Sequence, residues 1–113
     1  MLIERGDILL IEFDPTKGSE IKKTRPAIVI TNDIANQFSR IITVIPLTSQ
    51  KLEKIYPHEV LIPKMKGLSK NSKASVSQMR AIDRSRAKTK LGAISKNHLD
   101  ELEIAIKLHL SLS

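Results

Sequence analysis

The chain has 113 residues, 41% apolar and 27% charged, which are values of a globular protein with one modest core and exclude extended disorder. It has no cysteine, ruling out disulfides and thiolate metal sites, and only Phe13, Phe38 and Tyr56 as aromatics, too few for a binder that works mainly by stacking bases. The net charge of +7 is uneven: residues 1–50 hold six basic and six acidic residues, while residues 64–90 hold nine basic residues against Asp83 alone, which suits a polyanion partner or a solvated lysine-rich surface.

Charges precede any long apolar run at the N-terminus, so neither a signal peptide nor a membrane span is expected, and a cytoplasmic protein is. Residues 7–13 (Asp-Ile-Leu-Leu-Ile-Glu-Phe) predict a first strand, ended by the turn chemistry of Asp14-Pro15-Thr16-Lys17-Gly18. A polar loop over 14–24 follows. Residues 26–31 predict a second strand, Asn32-Asp33 can cap a short helical turn through Phe38, and residues 41–47 predict a third strand. The second and third are apolar nearly throughout, so they belong in the middle of a strongly curved sheet or barrel, covered on both faces. Residues 58–63 and 75–82 predict later strands, separated by a basic loop over 64–73. Neither the 14–24 loop nor the 64–73 loop has the apolar content to anchor it, so both are expected to move.

The C-terminal stretch changes period. Ser95 or Asn97 can cap a helix with Asp100 and Glu101 in its first turn and Leu99, Leu102, Ile104, Ala105, Ile106, Leu108 and Leu110 along its body. Those residues cover more than half the wheel and leave only a strip of Asp100, Glu103 and Lys107, more apolar surface than one sheet can cover. A second protein surface is therefore expected, most simply the same helix in a dimer mate. The reading is a single mainly β (α+β) domain over 1–113: a strongly curved sheet or barrel with a C-terminal helix, homodimeric.

Arg25 stands where the polar loop meets a core strand, and Pro26 forces it into an extended conformation. A planar five-donor group on that stiff base can clamp a phosphate or stabilise the charge of a phosphorane-like transition state; it can equally form an ion pair with Glu20. Thr48 emerges from the core at the end of the third strand, placed to present a hydroxyl or simply to start a turn with Ser49 and Gln50. His58, His98 and His109 show neither metal-ligand spacing nor an obvious pairing. No acidic metal cluster, glycine-rich phosphate loop or nucleophile elbow is present in the sequence, so chemistry without a metal or cofactor is what remains.

Five landmarks in order carry a resemblance that runs almost end to end: Arg5-Gly6-Asp7 before a strand, Gly18-Ser19-Glu20, Thr24-Arg25-Pro26-Ala27-Ile28-Val29-Ile30, Pro46-Leu47-Thr48-Ser49, and Ser77-Gln78-Met79-Arg80-Ala81-Ile82-Asp83. Together they resemble the MazF/PemK family of toxin endoribonucleases, or mRNA interferases. The resemblance implies an SH3-like small β-barrel with a C-terminal helix and a two-fold dimer. It implies cleavage of single-stranded RNA at short motifs without a metal, the 2′-OH attacking the adjacent phosphate to leave a 2′,3′-cyclic phosphate (or 3′-phosphate) and a 5′-OH. It also implies a cognate antitoxin whose acidic segment covers the RNA groove.

On this resemblance the catalytic arginine and threonine fall on Arg25 and Thr48. Glu20 becomes a proton acceptor or a reader of a base amino group. Ser19, Lys23, Gln78 and Arg80 become RNA-binding residues, and Asp83 a brace for Arg80 or Arg84. Two other readings use the same features: a non-enzymatic gyrase poison resembling the CcdB group, and an RNA-binding module without cleavage.

Overall fold

A computed structural model describes residues 1–113. Seven strands, β1 (Asp7–Glu12), β2 (Thr24–Val29), β3 (Ile41–Thr48), β4 (Glu59–Ile62), β5 (Ser72–Ser75), β6 (Arg80–Asp83) and β7 (Ala87–Ala93), accompany helices α1 (Asp33–Phe38) and α2 (Lys96–Leu110). The sheet is antiparallel in the order β4-β5-β3-β2-β1-β7, with β6 also on β3. It is mainly β with a C-terminal helix, as the sequence predicts. The two end strands do not hydrogen-bond to each other, so the sheet curls without closing.

The apolar stretches Ala27–Val29 of β2 and Ile42–Leu47 of β3 have both faces covered. Ile28, Ile45 and Leu47 join Ile62, Val76, Leu102 and Ala105 in one core, while Ala27, Val29, Ile42 and Val44 join Leu9, Ile11, Phe13 and Ile82 in another. Each fully buried side chain of this size contributes roughly 1.5–3 kcal/mol, so the two clusters fix the register of the central strands from both sides.

One expectation fails here, and one strand comes without a sequence signal. Residues 75–82 do not form one strand. The chain pairs with Leu47 and Thr48 through β5, then with residues 41–44 through β6, and must travel along β3 between the two. A single 3-10 turn over Val76–Gln78 makes that step and sinks Val76 into the core. Strand β7 was not foreseen, because Lys88 and Lys90 mask the period-two alternation of Ala87, Thr89 and Leu91. Those lysines meet acids of β1, Lys88 with Glu12 at 3.3 Å and Lys90 with Asp7 at 3.0 Å.

The 64–73 loop has the apolar anchor it was expected to lack. Leu68 is buried in the first core, and Met65 and Leu68 exchange two main-chain bonds of 2.9 Å. The turn between them lies against β7: a Cβ on Gly67, whose φ is +91°, would sit 1.8 Å from the Leu91 carbonyl oxygen. The loop thus fills the gap between the sheet's ends, where only glycine allows such an approach.

Helix α2 is capped by Ser95, whose Oγ accepts from the His98 amide at 3.2 Å. Because the helix starts at Lys96, Asp100 and Glu101 fall beyond its first turn, and Asp100 pairs with Lys96 at 3.2 Å. Leu102 and Ala105 are buried, whereas Ile104 and Leu108 are 69% and 60% exposed, the uncovered face the helical wheel predicts. Arg5 ties the ends of the fold together, donating to the Ile30 carbonyl through Nε and pairing with Glu103 at 2.8 Å while its amide donates to Asp33. No helix is long and apolar enough to cross a membrane.

Gly67→Ala should lower stability by on the order of 3 kcal/mol, through the left-handed backbone and the clash with Leu91 together. A urea midpoint within error of wild type would show that the loop does not rest on β7.

Candidate active site

Residues Ala27, Ile28 and Val29 of β2 face Pro46, Ile45 and Val44 of β3. Continuing that register by two residues brings Arg25 opposite Thr48, at the ends of strands whose positions are set by the two cores. Both line a groove of about 790 Å³ with an apolar floor of Leu10, Pro26, Leu47 and Leu91, walled by the 64–73 loop. Both also line a second depression of about 460 Å³ on the other side. They form the rim shared by the two, together with Gln50.

The half-buried Arg25 uses one of its five N–H donors internally, Nε to the Lys22 carbonyl at 2.8 Å. It forms no ion pair, and the expected alternative of a bridge to Glu20 does not occur: the Glu20 carboxylate accepts from the Lys17 amide. Four guanidinium N–H groups are left free in a fixed plane, the geometry that grips a phosphate. The Thr48 hydroxyl accepts from the Gln50 amide at 3.2 Å, so it does start the turn, and its own O–H is left to donate outward. The two readings of Thr48 are compatible.

Glu20, Ser19 and Lys23 line the 460 Å³ depression with Arg25 and Thr48. Lys23 adopts a left-handed φ of 68° and its carbonyl accepts from the Phe13 amide at 3.0 Å, closing the base of the 14–24 loop. Gln78 and Arg80 lie in a separate pocket of about 240 Å³, joined to the depression through Glu20 and Ile21. Gln78 Oε1 accepts from the Ile21 amide at 3.4 Å, and Arg80 donates to the Phe13 carbonyl at 3.0 Å with its guanidinium 5.9 Å from that ring. Arg80 is therefore partly occupied in holding the loop's base.

Several assignments change. Asp83 braces neither Arg80 nor Arg84; it pairs with Arg40 at 3.4 Å, and bonds from the Ser85 amide and hydroxyl hold its carboxyl below the ordinary aspartate range. Arg84 donates instead to the Asn36 and Ser39 carbonyls. His58 and His109, unpaired by spacing, approach to 6.1 Å between ring centroids where α2 passes the 49–58 connection. The basic run over 64–90 is mostly engaged: Arg86 bonds the Glu12 and Asp14 carbonyls, Lys88 and Lys90 are ion-paired, and Lys73 is buried. The unpaired positive charge lining the two depressions comes from Lys22, Lys23, Arg25, Lys51 and Lys70, while Lys73, at the edge of the smaller one, is neutralised by Glu59 beside it. Gln50, Lys51 and Lys70 had no signal in the sequence beyond proximity to Thr48 or membership of a basic loop.

Lys73 faces Thr48 in the sheet and meets Glu59 at 3.1 Å, the two side chains only 6% and 8% exposed. Burial pushes the Glu59 carboxyl up, but bonds from the Tyr56 amide and Lys73, with the charges of Lys73 and His58, together hold it below the ordinary glutamate value of 4.5. A depressed carboxyl contributes stability that is complete above the unfolded value and lost as pH falls through the folded one. Glu59→Gln should therefore destabilise at neutral pH, and its deficit relative to wild type should shrink as pH drops below the ordinary glutamate value. Urea melts between pH 7 and pH 3 check this; a deficit independent of pH would contradict it.

The family model of PemK-like, MazF-like toxins of type II toxin–antitoxin systems matches residues 4–110. This chain belongs to that family. It is 38% identical to the endoribonuclease MazF9 of Mycobacterium tuberculosis, over 98% of each chain. The toxin's fold matches the crystal structure of MazF from Deinococcus radiodurans with a TM-score of 0.86 at 26% identity, covering 99% of each chain. It also matches that organism's MazE-MazF structure with a TM-score of 0.80 at 25% identity over the whole of both chains.

Proposed function

We propose that this toxin is a cytoplasmic endoribonuclease, a single domain over residues 1–113, that cleaves single-stranded RNA, mRNA included, at short sequence motifs without a metal. The free guanidinium of Arg25, sharing with Thr48 the rim between two depressions lined by cations, is the observation that carries this reading.

In the reaction the ribose 2′-OH attacks the adjacent phosphorus. The 2′-oxygen bond forms, the bond to the 5′-oxygen breaks, and the products are a 2′,3′-cyclic phosphate (or 3′-phosphate after water adds) and a 5′-OH. Arginine holds its proton to pH values above about 12, so Arg25 is a poor base and serves as the charge clamp and proton donor to the leaving oxygen. Thr48 donates its hydroxyl to the scissile phosphate. Glu20, in the same depression, takes the 2′ proton, or reads a base while solvent water takes that proton; Ser19 and Lys23 flank the strand, and Gln78 and Arg80 meet a base beyond Ile21.

Its partner is an antitoxin, by analogy with the MazE-MazF assembly. A disordered acidic segment in the groove would face the same Lys22, Lys23, Arg25 and Lys70 that face RNA, so the two ligands compete by charge. The exposed Ile104 and Leu108 form the homodimer contact.

Purified protein incubated with a long single-stranded RNA in EDTA should give discrete cuts with 5′-OH ends. Arg25→Ala should cut about 10²–10³-fold more slowly, the effect of losing a preorganised donor to developing charge. Thr48→Ala should lose roughly ten- to a hundredfold, one hydrogen bond to a charged group. Intact RNA, or cleavage that requires magnesium, overturns the proposal; a gel shift without cleavage favours a binding module. For the dimer, sedimentation should show two chains at micromolar concentration and one for Ile104→Glu. A wild-type monomer there defeats the assignment of the helix face.

A further inference from the structure

Residues 49–58 connect β3 to β4 without regular structure, and they carry Gln50 and Lys51 along the depression that holds Arg25 and Thr48. Main-chain bonds to the rest of the fold appear only at the far end, where Val76 donates to the His58 carbonyl at 3.0 Å. The near end is held by side chains: the Thr48 hydroxyl accepts from the Gln50 amide at 3.2 Å, and Lys73 holds the residues beyond it. Lys73 Nζ donates to the Lys51 carbonyl at 2.9 Å, the Lys54 carbonyl at 3.2 Å and Glu59 Oε1 at 3.1 Å. An ammonium has three donors, and all three are used. The same Glu59 oxygen accepts from the Tyr56 amide at 3.0 Å. One buried ion pair thereby grips the connection at three points.

A buried pair of this kind is seldom the most stable solution, because desolvating the two charges offsets much of their attraction and a well-packed apolar pair would serve stability as well. What an apolar pair could not supply is two directed bonds to main-chain carbonyls. Lys51 needs one of them: its φ of 55° is left-handed, a conformation that is strained for a residue with a side chain. Lys73 is also the sheet partner of Thr48, so the grip starts one residue from the catalytic hydroxyl.

We propose that Lys73, neutralised by Glu59, is a positioning residue for the RNA site: it fixes the 49–58 connection so that Gln50 and Lys51 hold the strand presented to Arg25 and Thr48. This rests on the nuclease reading above. Thr48 itself is seated by strand pairing, so the grip governs substrate binding far more than the chemical step.

The test compares wild type with Lys73→Met, Glu59→Gln and the double variant. It uses backbone ¹⁵N order parameters over residues 49–56 and steady-state cleavage of a short single-stranded RNA containing a mapped cut site. In the double variant, which leaves no lone charge in the site, order parameters over 49–56 should fall from about 0.85 to below about 0.6 while those of β1 to β3 stay. KM should rise about tenfold with kcat within about threefold of wild type. A folded double variant with wild-type KM and a rigid connection overturns the proposal. If variants lacking Lys73 fail to fold, Glu59→Gln alone decides: it should raise KM about threefold and loosen the same residues, and no change in either overturns it. Wild-type protein that leaves RNA intact defeats the nuclease reading and the KM consequence with it, while the order parameters still decide whether Lys73 holds the connection.

Discussion

Pairing of β2 with β3 is the contact from which the site follows. Ile28 lies against Ile45 in one core while Ala27, Val29 and Val44 face the other, and the chain cannot slip by one residue without turning both sets of apolar side chains out of place. That locked register carries outward to the strand ends, where Arg25 comes opposite Thr48. Pro26 stiffens the same point, and the Lys22 carbonyl takes up the inner guanidinium nitrogen. An arginine held in this way loses little freedom when it meets a phosphate, which is where preorganised charge does most for a reaction that builds negative charge on oxygen.

The rest of the fold surrounds that pair with surfaces of different character. The 64–73 loop, seated on β7 through Gly67 and anchored by Leu68, walls an apolar-floored groove. The 14–24 loop brings Ser19, Glu20 and Lys23 to the other side and is held at its base by Arg80 and Lys23 through the main chain of Phe13. Charge is divided as economically. Most cations of the 64–90 stretch serve the fold, satisfying main-chain carbonyls or acids, and the cations facing the groove come from three loops and from Arg25 near the start of β2.

A TM-score of 0.86 at 26% identity to the Deinococcus radiodurans MazF shows how few residues the backbone depends on. The two-sided apolar strands, the approach at Gly67 and the capped helix set the path of the chain.

Period and turn chemistry were enough to read β1 to β4, the short helix and α2 from the sequence, because each of these is decided by which of its own side chains are apolar. The uncovered side of α2 was legible for the same reason: Ile104 and Leu108 could not all turn inward with Leu102 and Ala105. Family resemblance, not spacing, pointed to Arg25 and Thr48, since their relation is a cross-strand one that no local pattern encodes. Only the tertiary structure decided the rest. The break at Val76, the strand hidden among Lys88 and Lys90, the burial of Lys73 and the pairing of Asp83 with Arg40 all depend on which distant segment comes alongside. In each, a charged or polar residue takes its role from a partner far along the chain, a relation that a linear run of charges does not contain.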